Sequence, residues 1–193
     1  MIDKDLSQDK ATNESKVDYK KELIDICITV VVIIGMVLLI NIFVGEQVRV
    51  RGTSMENSLH HNDRIIIEKV SYRLNEPKRF DVVVFQPKNT SEDTYYIKRI
   101  IGLPGETIQI SGNDILINGE KLEENYGKEV ILSAGIAHWE IVLGEEEYFV
   151  LGDNRNNSTD SRFASVGPIS LDSIQGKAFL KVYPFNEIDR INH

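Results

Sequence analysis

Three segments of this 193-residue chain carry side chains whose types and spacing could do chemistry. The first is "RGTSMENSL", residues 51–59, a turn-prone stretch with Ser54 near its centre. A serine becomes a nucleophile only if a neighbour takes its proton. The four histidines are His60, His61, His138 and His193. The adjacent pair would point to opposite sides of any extended segment, and neither has an evident orienting carboxylate. The spacing therefore suggests neither a Ser/His/Asp triad nor a zinc site. The other available base is a lysine that has lost its proton, and the second segment, "YYIKRIIGLPGE", offers one. Strand alternation there puts Tyr96, Lys98 and Ile100 on one face and Ile97, Arg99 and Ile101 on the other. If the Lys98 face is the inner one, tyrosine and isoleucine neighbours desolvate the ammonium and lower its pKa from about 10.4. Arg99 stays charged in either orientation. Taken singly, Ser54 reads as a turn residue and Lys98 as a snorkelling strand lysine. The third segment, "YFVLGDNRNNSTDSRFASVGPIS", runs from a strand into a loop dense in hydrogen-bonding side chains. It is not a calcium loop, because Arg155 occupies a ligand position and Ser158 stands where the turn glycine belongs.

The elements that must position these segments follow from hydropathy. Seven short β-branched or aromatic runs, "RIIIEKV", "DVVVFQP", "YYIKRII", "TIQI", "DILI", "YFVL" and "AFLKVY", have strand length, and no amphipathic helix pattern competes with them. Gly112-Asn113 marks a turn between two of them, and Asn118-Gly119 is a two-residue hairpin signal. Residues 46–193 are thus expected to form one mostly β, antiparallel domain. Before it, residues 26–45, "ICITVVVIIGMVLLINIFVG", are 20 consecutive uncharged residues, the length a helix needs to cross a bilayer. This run is too long for a cleaved signal peptide, and no small-residue cleavage site follows it. Residues 1–25 mix charges and are expected to form a tail. Lys10, Lys16, Lys20 and Lys21 before the run, against Arg49, Arg51 and Arg64 after it, lean towards a cytoplasmic N-terminus. The single cysteine, Cys27, lies inside the run, so the β domain has neither disulfides nor a thiolate metal site. With 22 Lys and Arg against 30 Asp and Glu and no basic cluster, nucleic acid is not an expected partner.

An apolar anchor, then "RGTSMENSL", "YYIKRIIGLPGE" and "VLGDNRNNSTDSR", in that order, resembles the bacterial type I signal peptidases over residues 20–185. The resemblance implies a serine endopeptidase with a Ser/Lys dyad and no cofactor or metal. It removes signal peptides from secretory preproteins at the extracytoplasmic face of the cell membrane. Ser54 matches the family nucleophile and Lys98 its general base, while Ser158 matches a serine that hydrogen-bonds and orients the lysine. Asp160 supports the dyad, and Asp153, Arg155 and Arg162 match the structural scaffold of the third loop. The oxyanion donor would be the Ser54 N–H, and Gly52 stands where some members add a hydroxyl. Met55 and Leu59 would lie near the substrate, which is expected to extend beside a strand edge with small residues before the cut. The fold implied is the family's β-rich catalytic core with a small second subdomain. One departure is that Met55-Glu56-Asn57-Ser58-Leu59 replaces the usual Met-x-Pro-Thr-Leu. Losing that proline is expected to loosen the loop. A non-catalytic member acting as an assembly factor for surface proteins would be marked by loss of Ser54 or Lys98, and both are present. A soluble Ser/Lys autoprotease of the stress-repressor type would need a helix-turn-helix that is not visible here.

Overall fold

The computed structural model describes residues 19–43, 45–88, 90, 94–127 and 129–191, without the side chains of 38–43. Residues 1–18, most of the expected tail, lie outside these. The chain divides into two units, residues 1–38 and 39–193. Helix α1 (Tyr19–Phe43) begins seven residues ahead of the apolar run, taking in residues expected to belong to the tail. Lys20, Lys21, Glu22 and Leu23 are good helix formers, so the helix takes in the residues between Tyr19 and the apolar run. Among the described residues no helix is long and apolar enough to cross a membrane. The side chains of residues 38–44, which continue the run, lie outside the described set.

The second unit is antiparallel β, as its short alternating runs require. Its main sheet joins β1 (Glu46–Arg49), β2 (Arg64–Glu68), β3 (Val82–Phe85), β4 (Tyr96–Gly102), β9 (Glu147–Leu151), β10 (Ile169–Ser170) and β11 (Ile174–Tyr183). The order across it is β1-β2-β11-β3-β4-β9-β10, with β12 (Asp189–Arg190) paired to β11. A smaller sheet of β5 (Thr107–Ser111), β6 (Asp114–Ile117), β7 (Glu120–Lys121) and β8 (Ile141–Val142) forms the second subdomain. Both expected turns are hairpins. Gly112 bridges Ser111 and Asp114, while Asn118 and Gly119 take φ of 52° and 82°, the doubly positive geometry that a twisted two-residue hairpin demands. A one-turn helix, α2 (Ser71–Leu74), fills the connection after β2.

Two features of the main sheet set up the site. β3 is buried on both faces, all four of its residues being inaccessible, so β4 beside it lies in the interior. β9 pairs with β4 only from Arg99 onward, leaving one flank of Tyr96–Lys98 without a neighbouring strand among the described residues. β1, which no sequence pattern announced, forms the outer edge of the same sheet through its register with β2.

Candidate active site

The Ser54 turn leaves β1 and is fastened at both ends. Val50 N–H donates to Asp63 O at 2.8 Å and Asn62 N–H to Val50 O at 3.0 Å, which prolongs the β1–β2 ladder. Gly52, with φ of 90°, donates its N–H to His61 Nδ1 at 3.1 Å. On the far side the third segment holds the turn. Asn154 N–H donates to Ser54 O at 3.0 Å, Asn154 Nδ2 to Thr53 O at 3.2 Å, and Asn157 Nδ2 to Thr53 Oγ1 at 2.8 Å. The Ser54 N–H itself has no acceptor among the described residues.

β4 carries the candidate base. Lys98 is 4% exposed, and its Nζ donates to Ser54 Oγ at 2.8 Å and to Ile97 O at 3.0 Å. The Tyr96 ring lies on the same strand face with its centroid 5.2 Å from Nζ. Burial lowers the Lys98 pKa from 10.5 to about 8 against the opposing pull of Asp160 and Asp153, so desolvation outweighs both charges. Arg99, on the opposite face, is fully buried and stays paired. Its Nε and Nη2 donate to Asp153 Oδ1 and Oδ2 at 2.9 and 2.8 Å, and its Nη1 to Phe80 O at 2.8 Å. Ser58 Oγ donates to Asp153 Oδ2 at 2.5 Å, tying the serine turn to the same carboxylate.

The third loop is held by its own ion pair. Arg162 Nε and Nη2 donate to Asp160 Oδ1 and Oδ2, each at 2.8 Å, and Asp160 Oδ2 accepts the Gly152 N–H at 3.1 Å. Arg155 Nε donates to Gly152 O at 3.1 Å and its Nη1 to Glu124 Oε1 at 2.8 Å. Asp153, Arg155, Asp160 and Arg162 thus shape the loop, while Asp160 reaches Lys98 only through its field.

Four expectations need revision or refinement. Ser158 does not hydrogen-bond Lys98: its buried hydroxyl has no partner among the described residues, and it packs onto Gly152, where any Cβ would collide with it and with Ser54 O. Leu59 is not at the substrate side; at 1% exposure it sits in the core with Val50, Ile65 and Ile67. Met55 belongs to that core and also lines the groove described below. The Asn57 turn is not slack either, since φ there is 126°, a value proline cannot take, and its Nδ2 donates to Tyr126 O at 3.3 Å and Asp153 O at 3.4 Å. Sequence reading passed over Ser58, Asn154, Asn157, Glu124 and Tyr126. Of these, Asn154 and Asn157 lay in a loop already noted as rich in side-chain donors, whereas Glu124 and Tyr126 gave no signal.

Ser54 and Lys98 open onto a groove of about 840 Å³. Its walls are β1 with residues 50–55, residues Thr94–Lys98, and Asn157 and Thr159; among the described residues no histidine lines it. A serine against a buried, partly neutralised lysine, with a free backbone N–H beside it, can attack a carbonyl and shelter the resulting oxyanion.

Residues 23–183 match the family model described as signal peptidase, peptidase S26. Signal peptidase I of Leptolyngbya laminosa is 42% identical over 159 residues, covering 79% of this chain and 75% of its own. Signal peptidase I S of Bacillus subtilis is 34% identical over 191 residues, covering 95% of this chain and 100% of its own. A probable signal peptidase I-2 of Synechocystis is 38% identical over 160 residues, covering 81% and 71% respectively. With the family model spanning most of its length and relatives of 34–42% identity matched over more than two thirds of both chains, the chain belongs to the signal peptidase family, peptidase S26.

Proposed function

We propose that this protein is a membrane-anchored serine endopeptidase that removes signal peptides from secretory preproteins through a Ser54/Lys98 dyad. The observation that carries the reading is the 2.8 Å contact between Lys98 Nζ and Ser54 Oγ, made by a lysine whose pKa burial has lowered to about 8. Neutral Lys98 takes the Ser54 proton as Oγ bonds to the scissile carbonyl carbon. The Ser54 N–H then receives the oxyanion. Collapse of the tetrahedral adduct breaks the C–N bond, and the Lys98 ammonium returns its proton to the leaving amine. Water, deprotonated by the same lysine, then attacks the acyl carbon; the ester C–O bond breaks, and the Lys98 ammonium returns the proton to Ser54 Oγ.

The groove suits an extended substrate. β1 is an outer strand and Tyr96–Lys98 has a free flank, so a peptide running between them meets two strand edges, with alternate side chains turned into the walls. Anchoring is supported by α1: the described side chains of its apolar run, Ile26 to Val37, include large hydrophobics exposed all round, which water disfavours and lipid accepts. A helix over residues 26–45 with the tail in the cytoplasm would put the catalytic unit on the outer face. Gly45 and Ser54 are nine residues apart, at most roughly 30 Å of extended chain, so a signal peptide in the same bilayer would offer its cleavage site within reach. No observation favours the non-catalytic assembly-factor reading, nor nucleic acid as a partner. The test is incubation of the detergent-solubilised chain with a preprotein, sequencing of the new N-terminus, and repetition with Ser54→Ala. Processing by that variant at the wild-type rate would refute the dyad.

A further inference from the structure

One short segment outside all three motif regions touches each of them. Residues 124–127, which follow β7, meet the Ser54 turn where Asn57 Nδ2 donates to Tyr126 O at 3.3 Å. They meet β4 where the Tyr126 ring lies over the Arg99 guanidinium, its centroid 3.7 Å from Cζ. They meet the third loop where Arg155 Nη1 donates to Glu124 Oε1 at 2.8 Å. Glu124 Oε2 also accepts the N–H groups of Tyr126 and Gly127, at 2.9 and 3.4 Å, so the carboxylate sets the turn that presents the ring. Gly127 lies close to Arg155; a Cβ there would come 2.9 Å from its Cζ.

We propose that Tyr126 is a positioning residue for the reaction: its ring on Arg99 and its carbonyl on Asn57 hold the strand that carries Lys98 and the turn that carries Ser54 in one register. The proposal rests on the Ser54/Lys98 reading. Arg99 is adjacent to Lys98 in β4, and Asn57 lies three residues after Ser54. A cation stacked on an aromatic face is held more firmly when water is excluded, and Arg99 is fully buried. Phe80 packs against the Tyr126 ring at 5.1 Å between centroids and supplies the carbonyl that accepts Arg99 Nη1, so ring and guanidinium share one neighbour. The contact matters more in this chain because Asn57 stands at the usual proline position and is held at φ of 126° by acceptors outside its own turn. Tyr126 does not line the groove, so its effect should fall on the chemical step rather than on substrate binding.

The test measures kcat and KM for preprotein cleavage by the full-length chain in detergent, per active site titrated with a covalent serine reagent. Tyr126→Leu and Tyr126→Met remove the π face, and Tyr126→Phe keeps it. The loss of a buried cation–π contact predicts a kcat reduced roughly 5- to 30-fold in Leu and Met, with KM within about twofold and Phe near wild type. Two substitutions of different shape keep the test readable if one does not fold. Wild-type kcat in both, an equal fall in Phe, or a change confined to KM would each overturn the assignment. Ser54→Ala, run alongside, separates the two readings, because residual processing there would defeat the dyad, not the role of Tyr126.

Discussion

Replacing Lys98 with methionine should abolish cleavage yet make the protein relatively more stable at neutral pH. Methionine matches the lysine stem in length and leaves no ammonium to desolvate. Moving the lysine pKa from 10.5 to about 8 corresponds to about 3 kcal/mol, at roughly 1.4 kcal/mol for each tenfold change. The sign follows from proton counting. Between pH 8 and 10.5 the unfolded chain still holds the Lys98 proton while the native state has released it, so wild-type stability rises with pH across that window. Below pH 8 both states are protonated and the full penalty is present. The two hydrogen bonds lost in the variant, to Ser54 Oγ and Ile97 O, weigh equally at every pH at which they form and act mainly as an offset. Guanidinium unfolding of wild type and Lys98→Met in the same detergent at pH 7 and pH 10.5 isolates the titration. The stability difference should shift by about 3 kcal/mol in favour of wild type at the higher pH. An unchanged difference would show that Lys98 holds its proton as tightly in the native state as in the unfolded chain.

Lys98→Arg should be inactive because guanidinium does not release its proton in this range, and substantial cleavage by it would place the base elsewhere. Arg99→Lys breaks the two-bonded pair with fully buried Asp153 and should lower the unfolding free energy by about 3 kcal/mol, read by the same denaturant titration. Asn57→Pro should destabilise, by about 2 kcal/mol or more, since proline needs φ near −65° where this chain has 126°, while Asn57→Gly should cost much less; a proline variant as stable as wild type would refute the observed turn.

Alternation in "YYIKRII" was enough to place Lys98 and Arg99 on opposite faces, and the seven apolar runs found their strands because period-two hydropathy is a local property. The Asn118-Gly119 turn was legible for the same reason. β1 was not, because Glu46-Gln-Val-Arg49 is polar at three of four positions and becomes a strand only by pairing with β2. Leu59 was expected near the substrate from the family resemblance, whereas the turn Ser58–Leu59, closed by N–H bonds to Met55 O, rotates it into the core. The Ser54–Lys98 contact spans 44 residues and the Arg99–Asp153 pair 54, so the site as a constellation was visible only through the order of its motifs. Glu124 and Tyr126 stayed hidden because nothing local distinguishes a clamp from a solvated loop.

The carboxylates nearest in field to Lys98 explain why burial prevails there, and they supply a final prediction. Asp153 and Asp160 both pull the Lys98 pKa up, and either one left bare beside the amine would tend to keep it protonated. Each is instead held by two hydrogen bonds from a guanidinium, Asp153 by Arg99 and Asp160 by Arg162. The expectation is that the arginines do more than shape the loop: by balancing the carboxylates they would leave desolvation as the dominant influence on Lys98. In wild type the cleavage rate should rise with pH about a midpoint near 8, because in the proposed dyad only neutral Lys98 accepts the Ser54 proton. Arg162→Gln unmasks Asp160 and should move that midpoint upward; Asp160→Asn removes a raising charge and leaves Arg162 uncompensated, so it should move the midpoint downward. Both substitutions strain a buried pair and will reduce the amount of folded enzyme, but a midpoint does not depend on that amount. Profiles of single-turnover cleavage from pH 6 to 10 for the three proteins decide the matter. If both variants move the midpoint the same way, or neither moves it, the arginines do not set the charge environment of Lys98.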